Sequence, residues 1–194
     1  DDTMHGSVSD PGGDLDRILR TVDEAKITLD KILLTHGHLD HAAAAGDLAR
    51  KLNIPIEGPH RADLFLIEGL PEQARKYGFP ECGAFMPDRW LENGDTVDVA
   101  GLTFDVIHCP GHTPGHVVFF HAPSHLAIVG DVLFQGSIGR TDLPQGDYNA
   151  LVTSIRERLW PLGDDVTFVP GHGPLSTFGA ERRTNPFVAD DMFA

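Results

Sequence analysis

The residues from Thr35 to His41, Thr-His-Gly-His-Leu-Asp-His, pack three imidazoles and a carboxylate into the six positions that start at His36. Few core segments could bury that much polarity without partners. His36 and His38 are two apart, so both rings project to one side of an extended segment, while Asp40 and His41 fall where the chain turns into the next helix. Two pairs of donors can thus face two adjacent ions. Imidazole nitrogen with carboxylate oxygen and no thiolate suits Zn2+, Fe2+ or Mn2+ and does not select among them.

Three further donors stand behind apolar runs. His112 lies on the loop after Phe104–Ile107, Asp131 follows Leu126–Gly130, and His172 follows Val166–Val169 through Pro170-Gly171, just as His36 follows Ile32–Thr35. Strand ends are where a rigid scaffold displays functional loops. Five histidines and two aspartates so placed are hard to reconcile with random scatter of the chain's 11 histidines. His116, four residues past His112, is read as a supporting residue, and His60, His108, His121 and His125 belong to no motif. Cys109 is read as a small buried residue rather than a nucleophile.

The elements that must position these donors are legible in outline. Asp14 is expected to cap a helix with Leu15, Ile18, Leu19 and Val22 on its apolar stripe, after the Pro11-Gly12-Gly13 turn. An Ala-rich helix runs from about Ala42 to Leu52 and is ended by Asn53-Ile54-Pro55. The helical pattern from Arg61 to Phe79 breaks at Gly69-Leu70-Pro71. Residues 96–107 read as a hairpin around Ala100-Gly101, with further strands at Val117–Phe120, Leu126–Val129 and Val166–Val169 and a helix over Tyr148–Trp160. Mixed strands and helices of this kind imply a layered α/β or α+β sandwich. With 194 residues, 41% of them apolar, and no repeat or linker, a single domain over 1–194 is expected.

Composition narrows the partners. Lys plus Arg total 15 against 29 Asp plus Glu, a formal charge of −14, which would repel nucleic acid and other polyphosphates and otherwise describes a solvated acidic surface. Two cysteines suggest no disulfide framework and hence a reducing compartment. No run approaches the ~20 apolar residues of a membrane span, and the first residues lack a basic segment followed by an apolar one. A cytoplasmic protein with no membrane partner is expected; oligomeric state is not legible.

In their order, T-H-G-H-L-D-H, P-G-H-T-P-G-H, G-D and P-G-H-G resemble the metallo-β-lactamase superfamily. From Asp10-Pro11-Gly12-Gly13-Asp14 through Glu181-Arg182-Arg183-Thr184-Asn185-Pro186-Phe187 the chain is similar to the short bacterial glyoxalase II-like hydrolases, the hydroxyacylglutathione hydrolase family. The resemblance implies a four-layer αββα sandwich of the α+β class. It implies a first metal on His36, His38 and His112, a second on Asp40, His41 and His172, and Asp131 bridging them. It also argues against β-lactam cleavage, because the bridging position looks different in the members that cleave β-lactams. Only about nine residues precede Asp10, so the first sheet is expected to lack its first strands. Larger glyoxalase II enzymes add a helical region that grips glutathione; 22 residues follow His172 here, so those contacts do not transfer.

The implied reaction is hydrolysis of a small thioester, S-D-lactoylglutathione, to D-lactate and glutathione, with two divalent ions, most simply Zn2+, as cofactors. Metal coordination lowers the pKa of water from about 15.7 to about 7, and the same ions polarise an acyl carbonyl. The resemblance implies that Asp40 and Asp131 serve catalysis through a metal-bound hydroxide, and a departing thiolate needs no strong general acid. Arg140 offers a planar fork for an anionic part of the substrate, or equally a salt bridge with Asp142. The rival is a persulfide dioxygenase of the same superfamily, with one iron on His36, His112 and Asp131. His116 and Gly171-His172-Gly173 favour the hydrolase, and an inactive binding module would be expected to have lost a ligand.

Overall fold

A computed structural model describes residues 3–193, which fold as two compact units: residues up to 91 with 98–103, and residues 92–97 with 104–193. Strands of the first unit are β1 (His5–Ser9), β2 (Thr28–Leu33) and β3 (Ile56–Glu57), paired in parallel in the order β1-β2-β3. Parallel neighbours need crossovers, and helices supply them. The first is α1 (Leu15–Ala25); α2 (Leu39–Ala42) and α3 (Ala45–Leu52) make the second, and α4 (Leu64–Glu68) and α5 (Leu70–Tyr77) follow β3. Ile32, Leu34, Leu48, Ile56, Ile67 and Leu70 form its core, with Leu15, Ile18 and Leu19 of α1 packed against them. Each fully buried side chain of this size contributes roughly 1.5–3 kcal/mol.

Several details differ from the sequence reading. Met4-His5-Gly6 carries no strand signal, yet His5–Ser9 forms β1, because the parallel partner β2 supplies the pairing that its own composition does not advertise. The sheet therefore begins before Asp10. Asp14 takes the N-cap position in a left-handed conformation (φ 50°) and its side chain caps nothing; its carbonyl accepts from Arg17 and Ile18 instead. The Ala-rich helix is two helices, because the Ala44 amide donates to Pro11 O rather than one turn back. The break at Gly69 stands where the sequence puts it.

Further along the chain, β4 (Thr96–Val99), β5 (Leu102–His108), β6 (Val117–His121) and β7 (Leu126–Gly130) are followed by the small hairpin β8 (Leu133–Phe134) and β9 (Ser137–Ile138). Helix α6 (Tyr148–Ser154), capped by Asp147 on the Ala150 amide, runs into a π-helical turn at Ile155–Leu159. Last come β10 (Thr167–Pro170), β11 (Ser176–Thr177) and α7 (Phe178–Thr184). The six-stranded sheet has the order β11-β10-β7-β6-β5-β4 and is mixed: β5, β6 and β7 are antiparallel, while β7 and β10 run parallel. Between β4 and β5, Ala100 (φ 53°) and Gly101 (φ 83°) both have positive φ, the requirement of a type I′ hairpin turn. Val118, Leu133, Leu151, Ile155, Phe168 and Phe178 fill the core.

That strand order delivers the second unit's donors to one sheet edge. β5 ends and β6 begins at the loop holding His112, antiparallel β7 ends at the same edge just before Asp131, and parallel β10 ends there just before His172. The β7–β10 register places Pro170 opposite Gly130, and Gly171 donates its amide to Gly130 O at 2.8 Å.

Candidate metal centre

In the first unit the Thr35–His41 cluster hangs on Asp10. Its Oδ1 accepts from the Thr35 amide at 2.8 Å, and its Oδ2 accepts from Thr35 Oγ1 at 2.7 Å and faces His41 Nδ1 at 3.1 Å. A carboxylate only accepts, so His41 carries its proton on Nδ1 and presents Nε2 as a lone pair, 3.7 Å from Asp40 Oδ2. Thr35 Oγ1, having given its proton to Asp10, accepts from His36 Nδ1 at 3.0 Å, which puts the ring's lone pair on Nε2. The His36 ring lies 4.8 Å from that of His38, edge-on, and 4.2 Å from that of His41. Donor atoms of Asp10, His36 and His41 fall within 4.8 Å of one another, but the Asp10 oxygens are spent on Thr35 and His41, so Asp10 orients rather than ligates.

Two glycines make the cluster possible. A Cβ on Gly12 would lie 1.6 Å from Asp40 O, so only glycine lets the turn pass under the start of α2. A Cβ on Gly37 would meet Leu66 Cβ at 2.9 Å, and the Gly37 amide donates to the buried carboxylate of Asp63 at 2.9 Å.

In the second unit His112 Nδ1 donates to Arg140 O at 2.8 Å, which fixes the tautomer and turns Nε2 toward Asp131. Asp131 Oδ2 lies 3.6 Å from His112 Nε2 and 3.6 Å from His172 Nε2. Two ligands about 2.0–2.1 Å from a tetrahedral ion stand about 3.4 Å apart, so one oxygen of Asp131 makes a metal-sized edge with each of two rings. The His112 ring is buried, whereas the side chain of His172 is 56% exposed. His116 is fully buried and accepts the Asp131 amide on Nε2 at 3.0 Å, so it holds the Asp131 backbone. A Cβ on Gly139 would lie 1.9 Å from Asp131 O, which closes the far side of the same residue.

This donor set, ring nitrogens and carboxylates without thiolate, fits divalent zinc, iron or manganese. Residues 8–172 match the Metallo-beta-lactamase superfamily. The chain belongs to that superfamily.

Among curated relatives of this superfamily member, hydroxyacylglutathione hydrolase GloC of Haemophilus influenzae is 47% identical over 189 residues, covering 97% of this chain and 89% of the relative. Two solved structures share its metallo-β-lactamase fold closely. BLEG-1, described as a B3 metallo-β-lactamase, superposes with a TM-score of 0.89 at 36% identity, covering 97% of this chain and 90% of the other. TTHA1623 in a di-iron-bound form superposes with a TM-score of 0.84 at 41% identity, covering 92% and 87%. The protein is a metal-dependent hydrolase of α+β class that uses divalent metal ions. Among the described residues no helix is long and apolar enough to cross a membrane.

Around the donors of this metallo-hydrolase the other sequence candidates fall into place. The Arg140 guanidinium grips Asp142 through Nε and Nη2, both at 2.7 Å, and these hydrogen bonds hold the Asp142 carboxyl at about 2, below its ordinary 3.8. Arg140 also serves through its backbone, as the acceptor of His112. His60 caps a turn at Ala62, His108 reaches Pro114 O, His121 pairs with Ser124, and His125 pairs with Asp165. Burial pushes the Cys109 thiol up to about 12, which leaves it a packing residue. Sequence reasoning missed the orienting role of Asp10, although it heads the quoted Asp-Pro-Gly-Gly-Asp motif. It also missed Asp63, whose contact with Gly37 spans 26 positions and leaves no local signature.

Proposed function

We propose that the two half-clusters act as one dinuclear centre in one functional domain over 1–194. His36, His38 and His112 would hold the first ion, Asp40, His41 and His172 the second, and Asp131 would bridge. The centre would cleave a small thioester of the S-D-lactoylglutathione type, with Zn2+ the simplest metal and Fe2+ or Mn2+ compatible. The observation that carries the reading is Asp131 Oδ2, equidistant at 3.6 Å from the ligating nitrogens of His112 and His172. The 47% identity to a hydroxyacylglutathione hydrolase supports the substrate class.

When bound, such ions lower the pKa of coordinated water toward 7 and polarise an acyl carbonyl, about what hydrolysis at neutral pH requires. The chain's own residues preorganise that chemistry. Asp10 and Thr35 set the tautomers of His41 and His36, and Arg140 O sets that of His112, so three lone pairs are aimed before any ion arrives. Asp40 and Asp131 offset the charge of two divalent ions only in part, which leaves the centre cationic and favours an anionic transition state. A thiolate departs without a strong general acid. Arg140, paired with Asp142, would exchange that partner for a carboxylate of the substrate.

Two readings compete at the level of substrate. The likeness to BLEG-1 favours β-lactam cleavage, and the compatibility of the donor set with iron allows a mononuclear persulfide dioxygenase on His36, His112 and Asp131. One experiment separates all three: protein loaded with Zn2+ or Fe2+ is given S-D-lactoylglutathione, a cephalosporin and glutathione persulfide, while thiol release, ring opening and oxygen uptake are followed. Thioester hydrolysis without oxygen uptake, lost on chelation and restored by metal, is expected. Rapid oxygen uptake with negligible thioester cleavage overturns the hydrolase reading, and ring opening faster than thiol release overturns the substrate class.

A further inference from the structure

The late Glu181-Arg182…Asn185-Pro186 segment has no part in the ligand set, yet Glu181 and Asn185 are among the most buried polar residues of the second unit. Glu181 Oε2 accepts from the Gly136 amide at 2.8 Å and from Asn185 Nδ2 at 2.9 Å, and Oε1 accepts from Ser176 Oγ at 2.5 Å. Asn185 Nδ2 also donates to Ser137 O at 3.0 Å. These contacts span up to 48 positions and join three pieces of chain: the β8–β9 hairpin, β11 and α7.

Each of the first two pieces is continuous with a metal donor. The β8–β9 hairpin is the direct link from Asp131 to Gly139-Arg140. Gly139 packs on Asp131 O, and Arg140 O fixes His112. β11 closes the loop that begins with His172, and Phe134 of β8 lies 6.3 Å, ring to ring, from His172. The Ser176–Glu181 bond, with the Glu181–Gly136 bond, ties the His172 loop to the hairpin.

We infer that Glu181, through Ser176 and the β8–β9 hairpin, is a positioning residue that sets the spacing of His112, Asp131 and His172 for metal binding. The inference rests on the metal-centre reading above. A buried carboxylate with three donors is a rigid hub, whereas an apolar residue there would leave the Gly136 amide and the Ser176 hydroxyl to find other acceptors. Outer partners of metal ligands typically change metal affinity by about 10–100-fold.

The test is a chelator-competition titration with Zn2+, together with the visible spectrum of Co2+-loaded protein and the melting of metal-free protein. Ser176→Ala, which cuts only the tether to the His172 loop, is expected to weaken one ion about 10-fold or more and alter the Co2+ spectrum, with metal-free melting within a few degrees of wild type. Glu181→Gln keeps the carbonyl that accepts Gly136 and should rescue most of the loss seen in Glu181→Ala. Arg182→Ala, a change on the same helix as Glu181 that loses the ion pairs of Arg182 with Asp164 and Asp190, should leave affinity and spectrum unchanged. Wild-type affinity and spectrum in Ser176→Ala and Glu181→Ala overturn the positioning role, as does an equal loss in Arg182→Ala. Wild-type protein that saturates at one ion instead overturns the dinuclear reading, while the ratio of variant to wild-type affinity still decides the role of Glu181.

Discussion

Asp10→Asn isolates the orienting role of a residue that touches no metal donor atom on the ligating side. Three donors converge on the Asp10 carboxylate: the Thr35 amide at 2.8 Å, the Thr35 hydroxyl at 2.7 Å and His41 Nδ1 at 3.1 Å. Asparagine has one acceptor oxygen. If that oxygen stays on the Thr35 amide, the new NH2 group faces the hydroxyl and His41 Nδ1, two groups that were donors. His41 must then move its proton to Nε2, the nitrogen 3.7 Å from Asp40, and a protonated nitrogen cannot ligate. Hydrogen bonds to charged groups contribute about 1.5–3 kcal/mol, which is about 10–100-fold in a binding constant. We expect affinity for one of two ions to fall by that factor while the other is little changed. Melting of the metal-free variant should drop by about 2–4 °C for each kcal/mol lost. Chelator-competition titration reads the first quantity and calorimetry the second. A folded Asp10→Asn protein that binds both ions within threefold of wild type would refute the tautomer argument.

Further expectations can be checked with the same protein. Asp131→Ala should abolish turnover and weaken both ions, since one oxygen makes an edge with His112 and with His172; elemental analysis showing near-native metal content would mean the bridge is misassigned. His125→Ala, which loses only an exposed pair with Asp165, should leave rate and metal content unchanged. Cys109, buried with its thiol pushed up to about 12, should stay unlabelled by a thiol reagent at pH 8 in native protein, whereas half-buried Cys82 should react; mass spectrometry of the labelled peptides decides. The Asp142 carboxyl is depressed to about 2 in the folded state, so its link to Arg140 is fully present above its ordinary 3.8 and lost as pH falls through about 2. Its carboxyl carbon, followed by NMR, should therefore not titrate near 4.

The legible parts of this protein are those written in local chemistry. The cluster from His36 to His41 announces itself because its polarity is dense within six positions, and the hairpin at Ala100-Gly101 and the break at Gly69 are each set by one or two residues. Fully buried strands read as plain apolar runs: all five residues of β6 are buried, so no alternation marks its faces, though its presence is clear. β1 is not legible, since His5-Gly6-Ser7-Val8-Ser9 has neither alternation nor strong strand formers and is held by its pairing with β2. The divided Ala-rich helix fails for the same reason, because the amide that ends its first segment is taken by Pro11, 33 positions earlier.

For the site, the same distinction separates the donors from what aims them. Ligands must be imidazoles and carboxylates at strand ends, so residue type and spacing suffice to nominate them. Their supports need only an acceptor at the right place, and a backbone carbonyl serves as well as a side chain: Arg140 O holds His112, and Asp10 holds His41 from 31 positions away. His116 is a support that the sequence did nominate, from its place four residues past His112. It sits in Pro-Gly-His-Thr-Pro-Gly-His with a ligand's spacing, yet its Nε2 is committed to the Asp131 amide, and the proton it keeps on Nδ1 makes it a backbone clamp. A histidine read as a ligand from spacing is therefore best tested by asking what its second nitrogen touches. In this chain Nδ1 faces an acceptor in His41, His36 and His112, namely Asp10, Thr35 and the Arg140 carbonyl, but it does so in His121 and His125 as well, so the second nitrogen narrows the choice only together with the motif.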